Sequence, residues 1–390
     1  MMKKIILSLS IISLFISCQD ELYEDDLKSH TTKQGIYIDS KETLQIFTQE
    51  NKDVVVPNIN VKLVKPMPHQ FSANIIAGDE SQLNEYNKKN NTNYSLLPRS
   101  MYEISKHINF KATDIIGQIA LKLKNVKFPE EGTFALPIKI QGGSGYDAIS
   151  GQDQTLLILE QEIATKALKI NGAGTEIGDV FGVDHKVAQW TLEMMVKRSA
   201  YNANNRAIGG TKDVDHPKSE IYTRFGDVTI RPNQLQIKTG GSQIDIPADK
   251  LSAEPNKWYA LAFWYDGKTT KVFVNGVEVA SREIADWAYS VTGFWISGSN
   301  EFIREVRFWK RAVSPKELQD NLWKVLNPKK AEGLLFYYPM NGKKYDHNTG
   351  EITDDETKIW DWSSTKAHLN MPSGAKFDDN EGNNYVFPPK

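Results

Sequence analysis

The stretch WYALAFWYDGKTTKVFVNGVEVA (258–280) alternates bulky apolar side chains along two runs and breaks twice, at Asp266-Gly267 and at Asn275-Gly276. A period of two is the signature of a strand. Asn-Gly between apolar runs is a strong hairpin signal, because both turn residues must adopt positive φ. The stretch therefore predicts three consecutive antiparallel strands. Trp258 and Trp264 fall on one face of the first strand, with Tyr259, Phe263 and Tyr265 on the other. One set must fill a core and the other faces outward, and the pattern does not say which.

Upstream, AQWTLEMMVK (188–197) places Trp190, Leu192, Met194 and Val196 on one face. Downstream, SPKELQDNLWKVL (314–326) predicts a short helix, with Ser314 as cap, Pro315 in the first turn and Glu317 completing a capping box. Leu318, Leu322, Val325 and Leu326 would form its buried stripe. All nine tryptophans follow residue 170. The half before that point builds its core without indole, so a boundary is expected near LEQEIATKALKINGAG (159–174).

The first half also reads as β. Ile59, Val61 and Leu63 alternate with polar residues, as do Ile119, Leu121 and Leu123, and Leu136, Ile138 and Ile140 follow in GTFALPIKI (132–140). Pro137 in that last run suggests an edge strand. Only SQLNEYNKKN (81–90) looks helical. About seven short strands in some 125 residues argue for an immunoglobulin-like sandwich. The expected organisation is a signal peptide at 1–17, a tether at 18–34, a sandwich at 35–160, a linker at 161–172 and a second all-β domain at 173–390.

The amino-terminal part carries a different message. Lys3 and Lys4 precede an apolar run, Ile5 to Ile16, that is too short to span a bilayer as a stable helix. The sole cysteine, Cys18, ends Phe15-Ile16-Ser17-Cys18, and Asp20, Glu21, Glu24, Asp25 and Asp26 follow it. These residues resemble a lipobox with the acidic export tag of surface lipoproteins. The resemblance implies cleavage before Cys18, acylation of its sulfur and anchorage in an outer membrane facing the exterior. Each buried CH₂ of such an anchor contributes about 0.8 kcal/mol. No cysteine is left for a disulfide, so stability must come from the cores. The 47 basic and 49 acidic residues give a net charge of −2 with no basic run, which speaks against a nucleic-acid surface.

Two longer resemblances follow. Tyr94, Leu97 and Pro98 in NYSLLP, with Ala135-Leu136-Pro137-Ile138 later, are similar to an N-terminal lipoprotein domain of unknown function that precedes glycoside hydrolase family 18 domains or lectin-like domains. It implies a spacer over roughly 35–160. NKWYALAFWYDGKTTKVFVNG (256–276), FIREVRFWKRAVSPKEL (302–318), GLLFYYPMNG (333–342) and IWDWSSTKAHL (359–369) resemble the laminin-G-like branch of the concanavalin A-type jelly rolls. Arg304 stands where that family usually has an acidic residue, and 343–358 lengthen a loop.

The chemistry expected is recognition rather than catalysis. A jelly-roll glycosidase needs two carboxylates at a fixed separation, and neither Glu-x-Asp-x-x-Glu nor the acidic strand of a family 18 enzyme occurs. The seven histidines are scattered without zinc-ligand spacing. Sugars are held by aromatic faces together with amides, arginine and carboxylates, and binding residues concentrate on loops. Trp287 and Tyr289, Trp360 and Trp362, and Tyr201 with Arg206 are the glycan-binding candidates. Laminin-G-like domains often hold calcium, and Asp179, Asp184, Asp354 and Asp355 are loop carboxylates that could serve it, although no cofactor is required. The resemblance implies a glycan partner and an uptake system with its transporter and enzymes. A protein partner in adhesion or assembly is the alternative, and a jelly-roll glycoside hydrolase the lesser one.

Overall fold

The computed structural model describes residues 34–390 except 58, 91, 130–132, 144, 176–179, 213–218, 285–288 and 331. The signal peptide, Cys18 and nearly all of the tether lie outside the described residues, as do Asp179 and Trp287. The chain forms two compact units that divide between Gln161 and Glu162, and both are built from strands.

In the first unit, Gly35–Asp39, Ile59–Leu63 and Ile116–Ile119 form an antiparallel set, with Asp147–Ala148 added in parallel. The facing sheet runs Thr43–Thr48, Gln154–Gln161, Phe134–Gln141, Phe71–Ala77 and His107–Phe110. The alternation that predicted these strands is the alternation that buries them. Ile59, Val61, Leu63, Ile119, Leu121, Leu123, Leu136, Ile138 and Ile140 share one core. Helix Glu80–Asn90 lies on the outer face of the larger sheet, with Leu83 against Ala135, Leu156 and Ile158. Asp79 and Gln82 cap it reciprocally, each side chain accepting the other's backbone N–H at 3.0 and 3.1 Å.

Pro137 is not on an edge strand. Its strand has Gln154–Gln161 on one side, while the other side is shared by Ser95–Leu96 along Phe134–Ala135 and by Phe71–Ala77 along Ile138–Gln141. The Pro137 carbonyl accepts from Gly78 at 2.7 Å on that divided side. The missing N–H falls where one partner strand ends and the next begins, so no ladder bond is lost.

The second unit is a sandwich of two antiparallel sheets. The larger follows the order Val277–Glu283, Thr269–Val274, Trp258–Tyr265, Trp190–Arg198, Ser299–Trp309, Ala167–Asn171 and Lys376–Asp378, with Leu334–Tyr338 also paired to Ser299–Trp309. The smaller runs Ser242–Asp245, Leu235–Thr239, Tyr222–Phe225, Arg206–Lys212 and Gly293–Ile296. Trp190, Leu192, Met194 and Val196 point between the sheets, as do Tyr259, Leu261, Phe263 and Tyr265. The open question about WYALAFWY is thereby answered: the tyrosine set fills the core and the tryptophan set faces outward. Asn275 and Gly276 both take positive φ, 51° and 79°, as the hairpin required.

Two expectations are corrected here. Residues 161–172 are not a linker, because Ile163–Thr165 pairs with Tyr385–Phe387 and Ala167–Asn171 is an interior strand of the larger sheet. Ala167, Leu168 and Ile170 are fully buried, a period-two signal that the flanking Gly and polar residues masked. The helix begins as read, with Ser314 Oγ accepting the Glu317 N–H, but it spans only Pro315–Asp320. Trp323 takes φ 65°, and the Arg307 guanidinium binds the freed carbonyls of Asn321 and Lys324. A buried cation thus replaces the next helical turn.

Candidate functional site

The two outer faces of the second unit differ in what covers them. Along the larger sheet, the chain's own C-terminal third forms a roof. Trp258 packs edge-on against Tyr385 and Phe387 at 5.5 and 5.1 Å, and the Trp264 indole donates to the Val313 carbonyl at 2.8 Å. Below the roof lies a charge network. Glu305 bonds Arg304, Arg307 and the Tyr337 hydroxyl at 2.7–2.8 Å, and Glu193 accepts from Trp309 at 2.6 Å. Arg304 also lies over the Phe387 ring, 4.1 Å from its centre. The residue that departs from the family pattern is therefore a buried structural cation, paired with Glu305 but with its desolvation only partly offset.

The smaller sheet carries a cleft on its outer face. Ile221, Phe225, Leu235, Ile237 and Ile244 point into the core. Their neighbours Tyr222, Arg224, Gln236, Lys238, Gln243 and Asp245 consequently point out. Glu220, Tyr222, Arg224, Lys238, Ser242 and Gln243 line a cleft of about 600 Å³ on that face. At its rim, Gly240 and Gly241 take φ 58° and 66°, which closes a tight hairpin between the two outer strands.

The floor of the cleft is fixed in advance. Arg224 Nε donates to Gln236 Oε1 and Nη1 to Asn205 Oδ1, both at 2.7 Å, while Nη2 pairs with Asp227. Gln236 Nε2 donates in turn to Asp245 at 2.6 Å and to Asp227 at 3.1 Å. The Val228 N–H, Gln236 and Arg224 hold the Asp227 carboxyl below the usual aspartate range. The Tyr222 ring meets Trp295 at 5.6 Å between centroids, tilted by 47°. Trp295 is only 6% exposed and flanks Tyr222 on the same face, across Gly210 of the strand between them. Gly210 makes room for it, since a Cβ there would sit 2.9 Å from Trp295 Cζ2. Glu220 accepts a hydrogen bond from Trp295, and burial raises its pKa. The result is a cleft that offers a half-buried tyrosine, the Gln243 amide, the Glu220 carboxyl, Lys238 and Ser242 above an arginine fixed from below, which together suit a polyhydroxylated ligand.

The residues singled out from the sequence lie largely elsewhere. Tyr289 is 2% exposed and sits in the core, edge-on to Trp190 at 5.4 Å, with its hydroxyl bonded to Thr239 at 2.7 Å. Trp362 is 1% exposed and donates to the Lys343 carbonyl at 3.0 Å. Neither ring can present a face to a sugar. Tyr201 packs edge-on to Phe225 at 5.0 Å. Arg206 is exposed at the start of its strand, and the loop reaches the cleft through its neighbour Asn205 instead. Trp360 is half-buried and donates to the Asp355 carbonyl at 3.0 Å.

The described carboxylates offered for calcium have protein partners of their own. Asp354 pairs with Lys343 at 2.7 Å, Asp355 accepts from the backbone and hydroxyl of Thr357, and Asp184 bonds Ser290. Asp355 is engaged within its own turn, Asp354 across its hairpin and Asp184 with a residue of a neighbouring strand. Among the described residues no group of three or more His, Cys, Asp and Glu could hold a metal ion.

Tyr222, Arg224, Gln236 and Trp295 were missed because regular strand positions were read as core and loops as the site. The signal was present in IYTRFGD, QLQIKTG and GFWISG, where the outward positions include Tyr222, Arg224, Gln236 and Trp295.

Comparison with known proteins defines the class. Residues 171–319 match the family model of the concanavalin A-like lectin/glucanases superfamily in its laminin-G form, and residues 30–147 match a model of an N-terminal domain. The chain thus joins that N-terminal domain to a laminin-G-like, concanavalin A-type domain, and its fold is all-β. No curated protein matches it. Among solved structures, it resembles a Bacteroides ovatus protein provisionally described as carbohydrate binding, with 21% identity, TM-score 0.52, and coverage of 88% of this chain and 97% of that one. It is also similar to EndoBT-3987 of Bacteroides thetaiotamicron, solved with a Man5GlcNAc product, at 18% identity and TM-score 0.26 over 30% of this chain and 28% of that one. The first of these likenesses supports the fold, and the second carries no argument.

Proposed function

We propose that the chain is a non-catalytic, cell-surface lipoprotein whose second unit binds a glycan in the cleft of the smaller sheet. The observation that carries this reading is the cleft lined by Glu220, Tyr222, Arg224 and Gln243, in which Trp295 flanks Tyr222 and the buried Gln236 fixes Arg224. Such a floor needs little reorganisation on binding, which is what lets weak individual contacts add up. The superfamily match and the Bacteroides ovatus relative support carbohydrate as the ligand class. Cys18 would carry the acyl anchor, the acidic segment would direct the protein outward, and the captured oligosaccharide would pass to a neighbouring transporter and enzymes.

The test is a glycan-array screen of the purified protein, with and without chelator. Binding to one glycan class that is abolished by Tyr222→Ala in a folded variant supports the reading. A blank array on folded protein, or binding indifferent to Tyr222, refutes it and favours a protein partner. Release of reducing ends from any array glycan would overturn the non-catalytic part. For the anchor, metabolic labelling with a palmitate analogue should mark the wild type and not Cys18→Ser.

A further inference from the structure

The first unit carries an apolar patch at the end where the chain enters it. Val64, Ile115 and Ile116 are 46%, 49% and 49% exposed. A lone exposed apolar side chain is ordinary, but these three share one end of a sheet. Ile116 stands opposite Lys62 in the antiparallel pairing, which makes Val64 its diagonal neighbour on the same outer face. The Leu63 N–H donates to the Ile115 carbonyl at 2.9 Å, and the Val64 N–H to the Gly35 carbonyl at 2.9 Å. Gly35 lies between Val64 and Ile149, since a Cβ there would sit 2.9 Å from the first and 3.0 Å from the second. The loops beyond the strand ends are tied together, with the Thr113 N–H donating to the Met67 carbonyl at 2.9 Å.

The same patch holds the end of the tether. The Gln34 side chain donates to the Lys65 carbonyl, and the Gln34 carbonyl accepts from the Asp147 N–H at 2.9 Å. The chain from Cys18 therefore joins the folded body beside Val64. Even fully extended, the stretch from Cys18 to Gln34 spans at most about 55 Å. The rim of the patch is mixed in sign. Lys65, Lys111 and Asp147 are exposed, and Lys62 pairs with Asp39 at 2.7 Å. What the patch offers a partner is therefore apolar surface rather than charge.

We infer that this end of the first unit lies against the bilayer, with Val64, Ile115 and Ile116 entering the boundary between headgroups and acyl chains of a zwitterionic lipid surface. The inference rests on the Cys18 anchor of the proposed function. Contiguous exposed apolar surface marks a contact with protein or with membrane. The tether decides between them, because it fastens to the patch itself and sets a limit on how far the patch can stand from the acyl chains. A lipid surface also needs no complementary shape. A few protruding aliphatic side chains can enter it, while Lys65 and Lys111 keep their ammonium groups among the headgroups. The first unit then acts as a base with one fixed face toward the membrane.

The experiment reconstitutes the acylated full-length protein in vesicles of phosphatidylcholine and phosphatidylethanolamine. Acylation occupies the sulfur of the sole native cysteine, so Val64→Cys, Ile116→Cys and Val55→Cys each present one reactive thiol for a nitrobenzoxadiazole label. Val55 is 75% exposed and pairs with Lys122, about 20 Å along the strands from Ile116, so it serves as the control. The labels at positions 64 and 116 should emit further to the blue and lose most of their emission when the vesicles contain spin-labelled phosphatidylcholine. The label at position 55 should do neither. Flotation separates this inference from the anchor reading. Protein that floats with the vesicles but emits alike from all three positions overturns the inference and leaves the anchor standing. Protein that stays out of the floating fraction overturns the anchor, and the inference falls with it. A blue shift at 64 and 116 that spin-labelled lipid does not quench would show a protein covering the patch, and overturns the inference too.

Discussion

Trp362 separates the structural from the functional role of aromatic residues most sharply. In the sequence it stands in an irregular, aromatic-rich segment, as a binding residue would, but in the structure it is 1% exposed. Its ring packs at 5.8 Å against both Tyr337 and Tyr345, and its Nε1 donates to the Lys343 carbonyl. Replacing a buried tryptophan by alanine costs about 3–5 kcal/mol through lost contacts and the cavity left behind. The orphaned carbonyl adds about 1 kcal/mol. Against a typical domain stability of about 5–15 kcal/mol, that is a large fraction. For a unit of this size each kcal/mol shifts Tm by about 2–4 °C, so Trp362→Ala should lower the second unit's transition by about 10–20 °C. Trp362→Phe keeps most of the ring and should cost about 1–2 kcal/mol, mainly the lost hydrogen bond. Differential scanning calorimetry is the assay, because two units can melt in two transitions that a single Tm would blur. A Trp362→Ala protein that melts within about 3 °C of wild type, yet has lost ligand binding, would refute the burial argument.

Three further outcomes follow from the same geometry. Tyr222→Ala should leave the melting transition nearly unchanged, since the ring is half-buried, while weakening glycan affinity about tenfold or more, as loss of a central aromatic anchor does; titration calorimetry reads both halves. Gly210→Ala puts a methyl 2.9 Å from Trp295 and 2.7 Å from the Ile221 carbonyl, so it should cost about 1–3 kcal/mol in calorimetry and reduce cleft affinity with it. Glu301, buried against Arg198 at 2.6 Å, has its pKa lifted by desolvation from 4.5 to about 7, so the folded state holds its proton more tightly than the unfolded state does. Its contribution to stability is therefore full below about pH 4.5 and is lost as pH rises through about 7, a loss of about 2–3 kcal/mol that Glu301→Gln should abolish in melts between pH 5 and pH 8.

The fold was legible because both units bury one face per strand, and a period of two survives in the letters. Trp190, Leu192, Met194 and Val196 announced their strand, and Asn275-Gly276 announced its turn. Legibility ended where a second layer covers the first. Nothing local in AFW says that Trp264 will donate to Val313, some fifty residues on, or that Tyr385 and Phe387 will close over Trp258. The linker error at Ala167–Asn171 has the same origin, since five residues between polar neighbours become an interior strand only when Ser299–Trp309 and Lys376–Asp378 flank them. The helix ended early because Arg307, from a strand of the sheet, supplies donors to the Asn321 and Lys324 carbonyls just past its end.

That second layer also decides where a ligand can be held. An aromatic residue on the outer face of the larger sheet meets the chain's own C-terminal third, so Trp258 and Trp309 are less than a tenth exposed, as are Trp323 and Trp362 of the covering segments. On the smaller sheet the outward positions carry side chains that hydrogen-bond to one another, Arg224 to Gln236 and Gln236 to Asp245, and a cleft opens beside them. A sheet face left to water without a binding role would be expected to carry independent, solvated side chains. A ladder of mutual bonds instead sacrifices hydration and side-chain entropy to hold polar groups in one arrangement, a cost that is recovered when a ligand uses that arrangement. The abundance of tryptophan is therefore an account of how the larger sheet is covered, and the recognition surface is marked by Tyr222 and the polar ladder beside it.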